Sequence, residues 1–353
     1  VPEPLVTIVV SPRERFSYAR TSLESILEHT EAPYRLVYVD GGSPRGVRRY
    51  LEERARERGF ELIRTEHHLS PNRARNLGLA RVKTPYVAFI DNDVVVSPGW
   101  LDTLVRCAEE TGATVVSPLV CQGEPLHTEI HCAGGVSAIE EGEAEGKTTR
   151  RIIERIFKQG LPMAEERPGL ERGPTGLAEF HCMMVRTDFF EGHGPLDEGL
   201  LNSKEHVDLC IQVLRAGGAV YLEPESVVTY VTVPPMAPSD VPYYMLRWSD
   251  AWESASLDRL VEKYELVDDP YIAGRRRNIG WRRRMALLKP LSRRLARSDS
   301  GRLARKIENR LVRLDRRLNR WMTDRHARRA TRAEPARTPD AAPLMTSGAG
   351  DPR

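Results

Sequence analysis

Two carboxylates one residue apart, Asp91 and Asp93, close the apolar run Tyr86 to Ile90 in YVAFIDNDVVVSPGWL (residues 86–101). A strand of that composition would deliver both acids to its carboxyl end. Oxygen donors there suit a hard divalent cation, Mg2+ or Mn2+, held against a diphosphate. The cation would offset charge building on a departing nucleoside diphosphate. Acidic pairs are common by chance, so this one gains meaning from its surroundings. Other residues with chemical capacity are Ser11-Pro12-Arg13, Asp40 in DGGS, Arg75 and Asn76 in NRARNLGLA, His181 in EFHCMMV, and Glu205, His206 and Asp208 in KEHVDLC.

The elements that must position these residues alternate. Leu5–Val10 is a β-branched run of the kind buried on both faces of a sheet. Helical spacing follows over 17–29, then a strand at Leu36–Val39 ending in Asp40-Gly41-Gly42-Ser43. A charged helix over about 45–58, a strand at Glu61–Arg64, a helix opening at Pro71 and the strand 85–90 continue the series. Ser97 and Pro98 read as the N-cap and first residue of a helix over 98–111. Strand Thr114–Ser117 completes the β/α alternation, which implies a mostly parallel sheet with helices on both faces. In such sheets ligands bind at the carboxyl ends of the strands, where Ser11 to Arg13, Asp40 to Ser43 and Asp91 to Asp93 fall. Residues 121–175 read as a long insertion with a helix near 148–158. Beyond it come a strand at Glu179–Val185, a helix over 204–216, strands at 219–222 and 226–231, and a helix over 243–264 that sets Trp248 and Trp252 on one face.

The chain of 353 residues has room for one large domain or two ordinary ones, and its net charge of +3 hides an asymmetry. Residues 275–333 carry 22 lysines and arginines against four acids, so an acidic body is joined to a strongly basic tail. Over 302–322 the tail places Leu303, Ile307, Leu311, Leu314, Leu318 and Trp321 on one helical stripe. After about Ala330 the composition reads as disordered. Five scattered cysteines without metal-ligand spacing fit a reduced, cytoplasmic protein. No apolar run is long enough to span a membrane and no secretory signal opens the chain, whose first residue is Val1.

Taken together and in order, the motifs resemble glycosyltransferase family 2, inverting enzymes with the GT-A (Rossmann-like) nucleotide-sugar fold. The likeness runs roughly over residues 5–231. VTIVVSPRE resembles the opening strand and its turn around the base. VYVDGGS resembles the strand ending Asp-Asp-Gly-Ser, with Gly41 in place of the second acid. NRARNLGLA resembles the A-R-N-x-G helix start, and AFIDNDVVVSPGWL the D-x-D strand. RTDFFEGHGPLDEGLLNSKEHVDLCIQVLRAGG (186–218) resembles the acceptor-side segment. The resemblance implies a GT-A domain over 1–235, with a nucleotide half (1–118) and an acceptor half (119–235). A helical extension (236–274), a basic amphipathic tail (275–329) and a disordered end (330–353) would follow.

It further implies a metal-dependent transferase moving a hexose-type sugar from a nucleoside diphosphate, UDP by expectation, to a hydroxyl. Asp40 would contact uracil or ribose, and Ser11, Pro12, Arg13, Arg75, Asn76 and Asn92 would surround the nucleotide. Asp93 would bind Mn2+ or Mg2+ directly, with Asp91 reaching the metal through water or reaching the ribose. Two departures stand out. The family's Glu-Asp pair, whose second acid serves as base, is here Glu205-His206. Histidine, with a pKa near 6.5, has the range for this work; Glu205 and Asp208 are the other candidates. Tyr230 stands where a metal-binding histidine is common, which leaves His181 as a candidate third ligand. His131, in HCAGG, is a candidate lining residue of the donor pocket. Singly, each has an ordinary reading: Asp208 as a helix brace, His181 as a strand histidine, Trp248 and Trp252 as core.

The expected acceptors are a cell-surface polysaccharide, a lipid-linked glycan or a small metabolite. The basic, apolar-striped tail would suit the anionic inner face of a membrane, each basic residue near such a surface adding about 1 kcal/mol. It lacks the interleaved aromatics that nucleic-acid binding favours. Two other functions fit parts of the pattern: a degenerate sugar-nucleotide-binding scaffold, and a nucleotidyltransferase, which would want a Gly-rich turn that SPRERF lacks.

Overall fold

The computed structural model describes residues 3–231, 236–297 and 301–333. The first half of the chain runs β1 (Val6–Ser11), α1 (Ala19–His29), β2 (Tyr34–Gly41), α2 (Arg45–Arg58), β3 (Glu61–Thr65), α3 (Pro71–Leu79), β4 (Tyr86–Asp91), β5 (Val94–Val96) and α4 (Trp100–Thr111). The second half holds β6 (Val115–Gln122), β7 (Glu129–Cys132), β8 (Gly135–Ala144), β9 (Lys147–Ile156), α5 (Met163–Glu166), β10 (Gly173–Thr175), β11 (Cys182–Arg186), α6 (Thr187–His193), α7 (Glu205–Arg215) and β12 (Val220–Tyr230). Helices follow: α8 (Val241–Arg247), α9 (Asp250–Tyr264), α10 (Pro270–Arg277), α11 (Trp281–Arg283), α12 (Lys289–Ala296) and α13 (Arg302–Ala333).

The main sheet has the order β10-β12-β6-β11-β4-β1-β2-β3, with β5 on β12 and β7 on β6. Its β4-β1-β2-β3 half is parallel. Beyond β4 the pairing is mixed, because β11 inserts antiparallel between β4 and β6. This is the α/β architecture expected of the GT-A fold. All six residues of β1 are buried, which accounts for the unbroken apolar run VTIVV. Val6, Ile8 and Val10 face Leu23 and Ile26 of α1, in one layer with Trp100 and Leu104 of α4. Val9 faces the other way, toward Ala74 of α3. There a Cβ on Gly78 would lie 2.3 Å from a Val9 methyl, so only glycine lets α3 approach β1.

Several expected elements differ. Residues 148–158 are not a helix but strand β9, paired along its length with β8. Thr149 and Ile152 are its buried residues, three apart, a spacing that imitates a helix. The turn uses Glu145 and Gly146, both at positive φ, as a tight two-residue hairpin requires. Ser97 is not an N-cap: its amide and hydroxyl both donate to the Val227 carbonyl, at 3.1 and 2.7 Å. That bond fastens β5 to β12, and α4 begins only after Gly99. The strands predicted at 219–222 and 226–231 are one strand, irregular between Glu223 and Val227. The helix predicted over 243–264 breaks at Trp248-Ser249, where the Ser249 hydroxyl accepts the Trp252 amide and caps α9.

The basic tail is a helix docked on the body, by a face the sequence did not suggest. Ala304, Glu308, Asp315 and Asn319 are its buried residues, whereas Leu303, Leu314, Leu318 and Trp321 of the apolar stripe are half exposed or more. Arg283, 1% exposed, donates to Asp315 and to the carbonyl of Trp248, and at 2.7 Å to Asp250. Asn319 donates to the Met245 carbonyl and accepts the Asp250 amide. Residues 330–333, expected to be disordered, are the last turn of α13; residues 334–353 lie outside the described residues. Among the described residues no helix is long and apolar enough to cross a membrane.

Candidate active site

The topology gathers the expected residues at the carboxyl ends of the parallel strands. Asp91 ends β4 beside Ser11 of β1, and Cys182 of β11 pairs with Ile90. Residues just after β1 and just before β11 therefore flank Asp91. Arg13 Nη1 lies 3.0 Å from Oδ2, Arg75 Nη2 lies 2.9 Å from Oδ1, and His181 Nδ1 makes a longer contact of 3.4 Å. The Arg75 guanidinium is 3.8 Å above the Phe180 ring. Burial alone would raise the Asp91 pKa, but Arg75, the His181 hydrogen bond and Arg13 hold it well below the usual carboxylate range. Asn92 braces this turn: it accepts the Arg13 amide at 3.0 Å while its own amide donates to Ser11.

Asp93 is the opposite case. It is fully buried and neither carboxylate oxygen has a hydrogen-bond partner among the described residues. Burial and the neighbouring Asp91 charge push its pKa well above the ordinary value. A buried carboxylate in that condition holds a proton or a cation. Asp93 therefore fits a divalent ion directly, while Asp91 is already satisfied by two arginines and a histidine.

Other nucleotide-side candidates are brought close. Asp40 accepts the amide and hydroxyl of Ser43, each at 2.9 Å, and pairs with Arg64. A Cβ on Gly41 would lie 3.1 Å from the Pro12 ring, and the Pro12 carbonyl accepts the Tyr243 hydroxyl at 3.2 Å. Ser11 Oγ is buried and without a hydrogen-bond partner among the described residues. Asn76 is not brought to this group: its side chain bonds the backbone of Leu196 and the carboxylate of Glu198, stapling α3 to the loop before α7.

Beside Asp91 opens a cavity of about 280 Å³. The β8–β9 hairpin contributes Glu154, the segment before β11 contributes Glu179 and His181, and the start of α7 contributes Lys204, Glu205 and His206. Tyr230 from β12, Arg247 from α8, and Arg275 and Arg282 beyond it complete the wall. A larger cavity of about 440 Å³ lies among Tyr34, Arg58, Glu61 and Arg81 at the amino ends of the strands, away from these groups.

The three candidate bases part company here. Glu205 Oε1 is buried without a hydrogen bond among the described residues, with Arg247 Nη2 at 3.7 Å. His206 Nε2 lies 2.6 Å from Glu154 Oε1. Burial works to lower the His206 pKa, but the hydrogen bond and charge of Glu154, with Glu179, raise it overall. Glu154 itself is drawn down to about 2, burial being outweighed by His206 and Lys204. His206 and Glu154 thus form an ion pair near neutral pH. Asp208 is turned away from the cavity, bonded to Tyr264 and Lys263, each at 2.6 Å, as a brace between α7 and α9.

Tyr230 stacks on His181 with ring centroids 3.9 Å apart, and the Arg13 guanidinium lies over the Tyr230 ring, 5.0 Å from its centroid. Burial takes the His181 pKa down to about 3, keeping the imidazole neutral. Asp91, Asp93 and His181 do not form one compact ligand set. Among the described residues, the histidine–carboxylate triples close enough for that are His131–Glu179–His181 and Glu154–Glu179–His206. Sequence reading missed Glu154, Glu179, Lys204, Arg247 and Arg282. Glu179 had a signal, since an acid two residues before His181 shares its side in extended chain. Glu154 was hidden by the helical reading of β9.

The profile of the family described as Glycosyl transferase family 2 matches residues 7–191. A pre-mycofactocin glycosyltransferase of Mycobacterium tuberculosis is 25% identical over 228 residues, covering 64% of this chain and 42% of that protein. The chain spans less than half the length of the curated relatives it matches over such a stretch. GalNAc-T7 solved with UDP, GalNAc and Mn2+ aligns at a TM-score of 0.48 and 16% identity, over 74% of this chain and 55% of that one. Staphylococcus aureus TarS 1–349 in complex with UDP-GlcNAc aligns at 0.48 and 12%, over 78% and 72%.

Proposed function

The chain belongs to glycosyl transferase family 2, and from that premise we propose that it transfers a sugar, with inversion, from a UDP-sugar to a hydroxyl acceptor. The observation that carries this reading is a set of buried carboxylate oxygens without a hydrogen-bond partner among the described residues. Both oxygens of Asp93 stand at the strand ends, and Oε1 of Glu205 stands at the cavity wall.

In this reading the nucleotide lies across the carboxyl ends of β1, β2 and β4, near Asp40 and Arg64. Asp93 would hold Mn2+ or Mg2+, and such an ion, when bound, offsets charge on the departing diphosphate. Arg13, Arg247 and Arg282 line the same cavity and add positive charge of their own. Glu205 Oε1 takes the proton of the acceptor hydroxyl. The acceptor oxygen bonds the anomeric carbon as the bond to the diphosphate oxygen breaks, so the nucleoside diphosphate leaves with the bonding pair and the anomeric centre inverts. His206, occupied with Glu154, positions the hairpin over the cavity and keeps its proton.

The tail would hold the enzyme against an anionic membrane. Leu303, Leu314, Leu318 and Trp321 are exposed along α13 among its arginines, and a polysaccharide or lipid-linked acceptor would suit that placement. The test is incubation of the full chain with UDP-sugars, with and without Mn2+, measuring UDP release. Metal-dependent release supports the transferase. Metal-dependent UDP binding with no release, with water or any offered hydroxyl, would make the protein a sugar-nucleotide-binding scaffold instead.

A further inference from the structure

His131, Glu179 and His181 converge on one point of the cavity wall from two places in the chain. His131 is on β7, while Glu179 and His181 precede β11. We infer that they form a site for a divalent transition-metal ion, separate from the cation expected at Asp93.

The first support is donor geometry. Glu179 Oε2 lies 2.8 Å from His131 Nε2 and 3.8 Å from His181 Nε2. The two imidazoles stand nearly perpendicular, 84° apart, with centroids separated by 5.1 Å. Donors at 2.0–2.1 Å from a tetrahedral ion lie about 3.3 Å apart, and the two distances bracket that edge.

The second support is what the far sides of the rings do. Gln122 donates through its amide nitrogen to Glu129, which turns its Oε1 toward His131 Nδ1 at 2.8 Å. That oxygen can only accept, so Nδ1 of His131 carries the proton. Nδ1 of His181 faces Asp91 Oδ2, again an acceptor. His131 is therefore tied outward through Nδ1–H, His181 turns Nδ1 toward an acceptor at 3.4 Å, and both present Nε2 toward one carboxylate. This is the outer arrangement that metal-binding histidines adopt. Tyr230, stacked on His181, fixes that ring further.

Two imidazole nitrogens and one carboxylate oxygen favour Zn2+, Co2+ or Mn2+ over Mg2+, which prefers oxygen and water. Three protein ligands facing a cavity leave a fourth position open to water or a ligand oxygen. The alternative is a plain ion pair, with His131 doubly protonated against Glu179.

The inference does not rest on the transferase reading, and its test uses the metal alone. The dialysed full chain is titrated with Co2+ while its visible d–d absorption is recorded. One equivalent should bind with the spectrum of a four- or five-coordinate nitrogen–oxygen site. His131→Ala and Glu179→Gln should lose that spectrum. Gln122→Ala, which removes only the outer partner, should bind about 10–100-fold more weakly and covers the chance that a ligand variant misfolds. Asp93→Asn should keep the spectrum. Absence of the spectrum in the unmodified chain overturns the inference in favour of the ion pair. Loss in Asp93→Asn with retention in His131→Ala overturns it in favour of the Asp93 site.

Discussion

Replacing Glu205 by glutamine keeps the volume of the side chain and removes its ability to accept a proton. The side chain is 7% exposed and its Oε1 makes no hydrogen bond among the described residues, so packing should change little. A positioned general base contributes about 10²–10⁴-fold to rate, which is about 2.7–5.4 kcal/mol of barrier at 1.36 kcal/mol per tenfold. His206→Gln breaks a different contact, the 2.6 Å bond to Glu154, and removes no free proton acceptor. The two variants can be compared without knowing the acceptor, by following UDP release as the sugar passes slowly to water. Glu205→Gln should lower kcat about 10²–10⁴-fold with UDP affinity unchanged. His206→Gln should lower it by clearly less. Near-normal turnover in Glu205→Gln, together with a 10²–10⁴-fold loss in His206→Gln, would refute the assignment and make His206 the base.

Asp93→Asn should abolish the metal dependence of UDP binding in a thermal-shift titration; an unchanged Mn2+ effect would remove Asp93 from the metal. The His206–Glu154 pair should shape stability against pH. With Glu154 drawn down to about 2 and an unfolded value near 4.3, its contribution is present above that value and lost as pH falls through the folded one. With the His206 pKa raised from about 6.5, the contribution is complete below that value and lost as pH rises through the folded one. Urea midpoints of the native chain should therefore fall relative to His206→Gln at alkaline pH, and parallel curves would contradict the pairing. Arg283→Ala leaves Asp315 buried without its partner and should cost about 3–5 kcal/mol, read from chemical unfolding; a loss under 1 kcal/mol would mean that α13 is not docked through this pair. Changing Leu314, Leu318 and Trp321 to serine should weaken binding to anionic vesicles at least about tenfold, with the melting temperature unchanged. Undiminished sedimentation with such vesicles would take the membrane role from this face.

Much of the nucleotide half was legible because it is local. VTIVV and YVAFI are fully buried strands, and buried strands read as unbroken apolar runs. The residues that close those strands are then placed by topology alone, which is how Arg13, Asp40, Arg75 and Asp91 came within view. The cavity was far less legible. Glu154 depends on a hairpin whose buried residues fall three apart, and Arg247 and Arg282 come from helices that follow the motif-bearing part of the chain. No spacing rule links a residue near 250 to one near 90; only packing does. His206 illustrates the limit from the other side. Its type suggested a base, and only the position of Glu154 reveals that its proton is engaged.

The tail shows why an amphipathic pattern does not say which face a helix buries. The stripe Leu303, Ile307, Leu311, Leu314, Leu318, Trp321 was plain in the sequence, and a helix of a globular protein ordinarily turns such a stripe inward. Here the body offers α13 a polar seat instead: the carbonyls of Met245 and Trp248, the amide and carboxylate of Asp250, and the guanidinium of Arg283. Those groups sit at the break between α8 and α9, where backbone donors and acceptors are exposed by the helix ends and need partners. Asn319 bonds the Met245 carbonyl and the Asp250 amide, while Asp315 holds the Arg283 that serves the Trp248 carbonyl and the Asp250 carboxylate. Satisfying that break takes precedence, because unpaired buried polar groups cost about 1–3 kcal/mol each. Leu303, Leu314, Leu318 and Trp321 are then left facing outward between arginines, with Ile307 and Leu311 half-buried, so the same break that seats the tail also aims most of its stripe away from the protein.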